Sequence, residues 1–127
     1  MPKRMELEER ERIINEVKRL LSARGEVILA VLHGGFLRSA VFRDIDIALY
    51  TGHRLSAEEE PSYVDAVRGE LEKATGIGVD VQLLEYAPPG FVYNVLSKGK
   101  IIVERGKGVS AILRIHALED LRRIKKR

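Results

Sequence analysis

Three aspartates and a pair of glycines are the residues in this chain whose types and spacing could do chemistry. Asp44-Ile45-Asp46 opens an apolar run that continues as Ile47-Ala48-Leu49-Tyr50. Side chains alternate faces along an extended chain, so Asp44 and Asp46 point one way while Ile45 and Ile47 point the other. Their Cα atoms then lie roughly 6.5 Å apart. Two carboxylates at about that separation repel by roughly 2.5 kcal/mol at an effective dielectric near 20, and a divalent cation would offset the repulsion. Asp80, between Val79 and Val81, also sits early in an apolar run. Three acids on neighbouring strands would form an oxygen-only cluster of the kind Mg²⁺ takes. Such ions can hold the attacking and leaving oxygens of a phosphoryl transfer. A lone Asp-x-Asp reads more plainly as the wetted face of a strand, paired with Arg43 or Arg54. Asp80 is what shifts the balance.

Gly34-Gly35 ends the apolar run Val27 to Leu32, with His33 between. Glycines there let backbone approach a bound group, and the N–H groups opening the next segment can meet phosphate oxygens. Alone, a glycine pair more often makes a tight turn. Arg38 is the nearest cation and could reach a phosphate, or could simply be solvated. His33 is placed to touch a nucleotide, though one histidine at a strand end is usually structural. His53 and His116 lack partners at zinc-ligand spacing, and Tyr86 and Tyr93 read as rim or core.

The elements that must position these residues follow from hydrophobic periodicity. Leu7, Ile13, Ile14, Val17, Leu20 and Leu21 predict a helix over 5–23, acidic at its start, with Gly25 as its stop. Residues 27–33 predict a strand apolar on both faces, hence central. A short helical or irregular segment over 36–41 leads to a strand over 44–51. Ser56 could cap a helix reaching Thr75, with Val64, Val67, Leu71 and Ala74 inward, Gly76 as stop and Pro61 limiting its upstream regularity. Strands are expected over 77–84 and 101–104, and a short helix over 91–96. A last helix over 110–125 would carry Ile112, Ile115, Leu118, Leu121 and Ile124 on one stripe. The expected fold class is α/β (α+β), a mixed sheet of about four strands flanked by helices, in a single domain over 1–127.

Apolar residues at 45% and charged residues at 32% fit a globular chain rather than a disordered one. No run approaches the roughly 18 apolar residues of a membrane span. The charged N-terminal stretch lacks the apolar core of a secretion signal. With no cysteine, disulfides and thiolate metal sites are excluded, and a cytoplasmic location is expected. Five of the last six residues are basic, and removing them from the net +3 leaves the remainder at −2. A mildly acidic body is not the profile of a protein whose main surface binds nucleic acid.

The order strand, Gly-Gly, short segment, Asp-x-Asp strand, helix, strand with one Asp resembles the nucleotidyltransferase fold of the DNA polymerase β superfamily. Gly34, Gly35, Asp44, Asp46 and Asp80 match its motifs residue by residue. The small size is similar to that of the minimal nucleotidyltransferases, and Val79 to Leu84, Ala87-Pro88-Pro89 and Ser97 to Lys100 resemble the second half of those domains. The resemblance spans roughly residues 10 to 105. This chain departs from the pattern in three places. Eight residues separate Gly35 from Asp44, fewer than is usual, Gly35 stands where serine is common, and Leu37-Arg38-Ser39 and Arg43 replace the customary loop residues.

The resemblance implies that Asp44, Asp46 and Asp80 are catalytic and hold Mg²⁺ or Mn²⁺, with Asp80 assisting deprotonation of an acceptor hydroxyl. It places Gly34, Gly35, Arg38 and Ser39 beside the nucleotide, with ATP as substrate. It also implies an antitoxin that transfers AMP to a tyrosine of a separately encoded HEPN toxin; homo-oligomers are possible. Two alternatives stand: the same fold neutralising its toxin by contact alone, and a nucleic-acid-associated regulator using the basic C-terminal helix.

Overall fold

The structure, a computed structural model, describes residues 3–4, 6–38 and 41–125. A mixed four-stranded sheet runs in the order β5-β4-β2-β6, built from β2 (Leu29–His33), β4 (Ile45–Tyr50), β5 (Val79–Leu83) and β6 (Lys100–Glu104). β2 is antiparallel to both β4 and β6, while β4 and β5 are parallel. As its composition required, β2 is interior, with Leu29, Ala30, Val31 and Leu32 all buried. A separate two-stranded pair joins β1 (Lys3–Arg4) to β3 (Val41–Phe42). That pair was not expected: the short helical or irregular segment foreseen over 36–41 contains α2 (Gly35–Arg38), and at residue 41 the chain is already paired as a strand with Lys3–Arg4.

Among the described residues five α-helices accompany the sheet, four of them completing three layers. α1 (Leu7–Ser22) and α3 (Glu60–Thr75) cover one face of the sheet, where Ile13, Val17, Leu21, Val67 and Leu71 meet Ile45, Ile47, Val79 and Val81. α4 (Pro89–Lys98) and α5 (Val109–Lys125) cover the other face, where Val92, Val95 and Ala117 meet Leu29, Val31 and Ala48. Each fully buried aliphatic side chain in these two cores contributes about 1.5–3 kcal/mol relative to exposure.

Helix ends follow local chemistry. Ser56 and Glu59 form a reciprocal capping box, each side chain accepting from the other's backbone N–H. The regular helix nevertheless begins only at Glu60, with Pro61 in its first turn, so Ser56 caps the turn ahead of it. Gly76 closes α3 in the left-handed conformation at φ +72°. α1, by contrast, ends at Ser22 with Ala23 as its cap, two residues before Gly25.

Five apolar positions on the expected stripes do not bury. Leu7 is 70% exposed at the start of α1, and Ala74 of α3 is exposed. On α5 the buried side is Leu113 and Ala117, with Leu118 and Leu121 partly covered, while Ile112, Ile115 and Ile124 are more than half exposed. α5 packs along α4, and that contact selects the Leu113–Ala117 stripe rather than the longer aliphatic one.

Candidate functional site

Strand alternation sets the face on which Asp46 and Asp80 emerge. Ile45, Ile47 and Leu49 point into the α1/α3 core, so Asp46 emerges on the opposite, α4/α5 face of β4. β5 repeats the pattern, with Val79, Val81 and Leu83 buried and Asp80 and Gln82 exposed. Asp46 pairs in register with Asp80 on one side and with His33 on the other. His33, Asp46 and Asp80 thus form one row across three strands, on one face. Asp44 lies just ahead of β4, exposed.

The glycines make room for this row. Gly34, at φ +75°, follows β2 directly, and a Cβ there would overlap the Asp46 carboxylate. A Cβ on Gly78 would likewise overlap Oδ1 of Asp44. Asp46 therefore leans toward β2 and Asp44 toward β5. The Leu37 N–H donates to the Gly34 carbonyl as α2 begins, and Phe36 of α2 is buried under the Arg10 guanidinium, 5.4 Å from its ring centroid. That anchor holds the Gly34–Gly35 backbone beside Asp46.

The electrostatics match the crowding. Burial, followed by the charges of Asp80 and Asp44, pushes the Asp46 carboxyl above its ordinary range. Among the described residues no ion pair joins Asp44 or Asp46 to Arg43 or Arg54. The donor set is carboxylate oxygen only and its members repel, which fits a hard divalent cation. Among the described residues, however, no three His, Asp or Glu side chains are gathered as a formed metal site. Asp46 rests on Gly34, on the β2 side of β4, and Asp44 on Gly78, on the β5 side.

Gly34, Gly35 and Arg38 are placed in the turn and helix that follow β2. Ser39 lies outside the described residues. His53 sits in the turn at the far end of β4, its ring edge-on to Tyr50 and Tyr86, while His116 is exposed on α5. Two residues that sequence reasoning passed over shape the site. Glu72 reaches from α3 to accept from the Val79 N–H at 2.9 Å, fixing the start of β5 one residue before Asp80. Phe91 of α4 sets its ring edge-on to His33 at 5.5 Å. Phe91 carries no local signal because it meets His33 across a long stretch of chain, and Glu72, although close in sequence to Val79, reads there as one more polar residue of a helix.

The polymerase β nucleotidyltransferase family model matches residues 15–108, most of the chain and all three aspartates. The chain belongs to that family. No functionally curated protein matches it in sequence. Among solved structures, the toxin–antitoxin complex MntA–HepT is similar at TM-score 0.71 and 18% identity, covering 91% of this chain and 90% of the other. A complex from Shewanella oneidensis, a tri-AMPylated HEPN toxin with MNT antitoxin, matches at TM-score 0.72 and 18% identity, with coverage of 92% and 90%. A toxin–antitoxin structure with AMP-PNP matches at TM-score 0.70 and 19% identity, with coverage of 91% and 90%. At such identity the likeness carries the nucleotidyltransferase fold. The match spans nearly the whole of each of those chains.

Proposed function

We propose that this nucleotidyltransferase-family protein is a metal-dependent AMP transferase, the antitoxin of a two-protein module, acting on a tyrosine hydroxyl of a separately encoded HEPN-type toxin. The observation that carries this is the lateral pairing of Asp46 with Asp80 beside Gly34, at the open edge of an otherwise buried sheet. The toxin–antitoxin neighbours, one with an AMPylated toxin and one with AMP-PNP, support the same reading.

Asp44, Asp46 and Asp80 would hold Mg²⁺ or Mn²⁺, which when bound neutralises the triphosphate and the developing charge. The Gly34–Gly35 backbone, free of side chains, would lie against the phosphates, with Arg38 and Ser39 following it. Asp80, the outermost of the three, would take the proton of the acceptor hydroxyl. That oxygen bonds to the α-phosphorus as the bond to the β-phosphate oxygen breaks, releasing pyrophosphate. Positioning and charge neutralisation would supply most of the acceleration.

ATP with Mg²⁺ is expected to raise the melting temperature of the wild type by mass action, and Asp44→Ala or Asp46→Ala to abolish the rise. Labelled ATP incubated with the protein and its co-encoded neighbour should label the neighbour. The open arrangement of Asp44 and Asp46 favours one second reading, an antitoxin that works by contact alone. Absence of any shift with ATP and metal, together with retained toxin binding, would select it.

A further inference from the structure

α4 crosses the sheet on the face that carries the row His33, Asp46, Asp80. Phe91 marks the edge of α4 that looks onto this row, because its ring stands edge-on to His33. Side chains seven apart on a helix return to within about 20° of one another, so Lys98 lies on the edge that Phe91 marks. The end of α4 is also pinned beside the glycine turn. Leu32 pairs with Lys100, so the same antiparallel register sets His33 opposite Gly99. Gly99 is flush against the end of β2, and a Cβ there would overlap the Val31 side chain and the Leu32 carbonyl. Lys98, one residue before it, is therefore held beside the Gly34–Gly35 backbone.

Lys98 is exposed, and among the described residues no ion pair takes up its charge. Lys100 is turned away. It shares the face of its cross-strand partner Leu32, on the α1 side of the sheet, where it lines a crevice with Glu11, Ile14 and Asn15. The site thus changes sign along one line. Carboxylates gather toward β5, bare glycine backbone lies in the middle, and the Lys98 ammonium stands where β6 begins.

We propose that Lys98 binds the terminal phosphates of the nucleoside triphosphate and so sets the direction in which the nucleotide lies. The α-phosphorus sits by Asp46 and Asp80, where the acceptor hydroxyl arrives. The β- and γ-phosphates run over Gly34–Gly35 toward the start of β6, away from the carboxylates that would repel them. A lysine is a point charge on a flexible stem, which suits phosphate oxygens approached from one side. As the acceptor oxygen bonds to the α-phosphorus, the bond to the bridging oxygen breaks and its electron pair leaves with pyrophosphate. The Lys98 ammonium offsets part of that charge and keeps its own proton. Its part in transfer rests on the reaction proposed above; its binding of phosphates does not.

Calorimetry on the full chain with Mg²⁺ tests this, comparing ATP and inorganic tripolyphosphate on wild type, Lys98→Ala, Lys98→Arg and Lys100→Ala. Lys98→Ala should weaken both ligands by about tenfold or more. Lys98→Arg should restore most of the affinity. Lys100→Ala removes an equal charge two residues away on the other face, and should bind as wild type does. A lysine serving only the dipole at the end of α4 would change unfolding stability and neither affinity. Equal binding of ATP by wild type and Lys98→Ala therefore overturns the inference and leaves the proposed transfer standing. Equal weakening by Lys98→Ala and Lys100→Ala also overturns it, as does a loss confined to ATP with tripolyphosphate unaffected. Lys98-dependent binding of tripolyphosphate, in a protein that labels no partner from ATP, upholds the phosphate site and removes the transfer. Wild type that binds neither ligand overturns both.

Discussion

The carboxylate of Asp46 rests against the bare Cα of Gly34, in space that any side chain at position 34 would occupy. Gly34 also has φ +75°, a conformation that other residues adopt only with strain. Two independent requirements therefore meet at one glycine. Gly34→Ala is expected to cost about 2 kcal/mol or more, from backbone strain and displacement of Asp46. Denaturant unfolding measures the loss. A neutral outcome would mean that Asp46 does not lean on Gly34.

Removing the charge at Asp46 should have opposite effects on stability and on the proposed activity. Because Asp80 and Asp44 repel its ionised form and burial disfavours it, Asp46→Asn should stabilise the metal-free protein by about 0.5–1 kcal/mol at neutral pH. The same variant should show no thermal shift with ATP and Mg²⁺. Destabilisation by Asp46→Asn would contradict the picture of a strained acidic row.

The Tyr63 hydroxyl donates to Glu26 at 2.6 Å, and the Arg24 guanidinium also reaches that carboxylate. Burial alone would raise the Glu26 carboxyl, but the hydrogen bonds from Tyr63, the backbone and Arg24 outweigh it and hold it below the ordinary range. A carboxyl lowered in the folded state contributes stability above its unfolded pKa, and that contribution is lost as pH falls through the folded value. Glu26→Gln should therefore cost about 1 kcal/mol at neutral pH. The gap to wild type should close on acidification below about pH 4.5. Urea melts at neutral and acid pH would reveal a constant gap if the hydrogen bonds did not discriminate the ionised form.

Glu85 ties the turn after β4 to the end of β5. One of its oxygens accepts from the Thr51 N–H at 2.9 Å, the Thr51 hydroxyl at 2.6 Å and the His53 N–H at 3.2 Å. Thr51 is fully buried, and His53 holds a positive φ of 61°. Glu85→Ala strands these donors and should cost about 2–3 kcal/mol. Amide exchange at Thr51 and His53 should accelerate in Glu85→Gln or Glu85→Ala if the carboxylate holds the turn, and stay unchanged if it does not.

What was readable from the chain alone was whatever depends on local period and residue type. The two-sided apolarity of Leu29 to Leu32 made β2 interior, because a strand without a polar face needs cover on both sides. Asp-Ile-Asp-Ile committed Asp46 to the face opposite Ile45 and Ile47, because alternation is a property of any extended backbone. The family motif could be recognised for the same reason, since its members lie at fixed offsets along the chain.

Only the tertiary structure decided which residues meet across those offsets. The pairing of Asp80 with Asp46 depends on strand register. The leaning of Asp46 on Gly34 and of Asp44 on Gly78 depends on how three segments approach. Val41–Phe42 became a strand because the N-terminus came alongside it, and Ile112 and Ile115 stayed in solvent because α4 took the neighbouring stripe of α5. Period states which side chains share a face; packing between distant segments selects the face that is covered and the carboxylates that become neighbours.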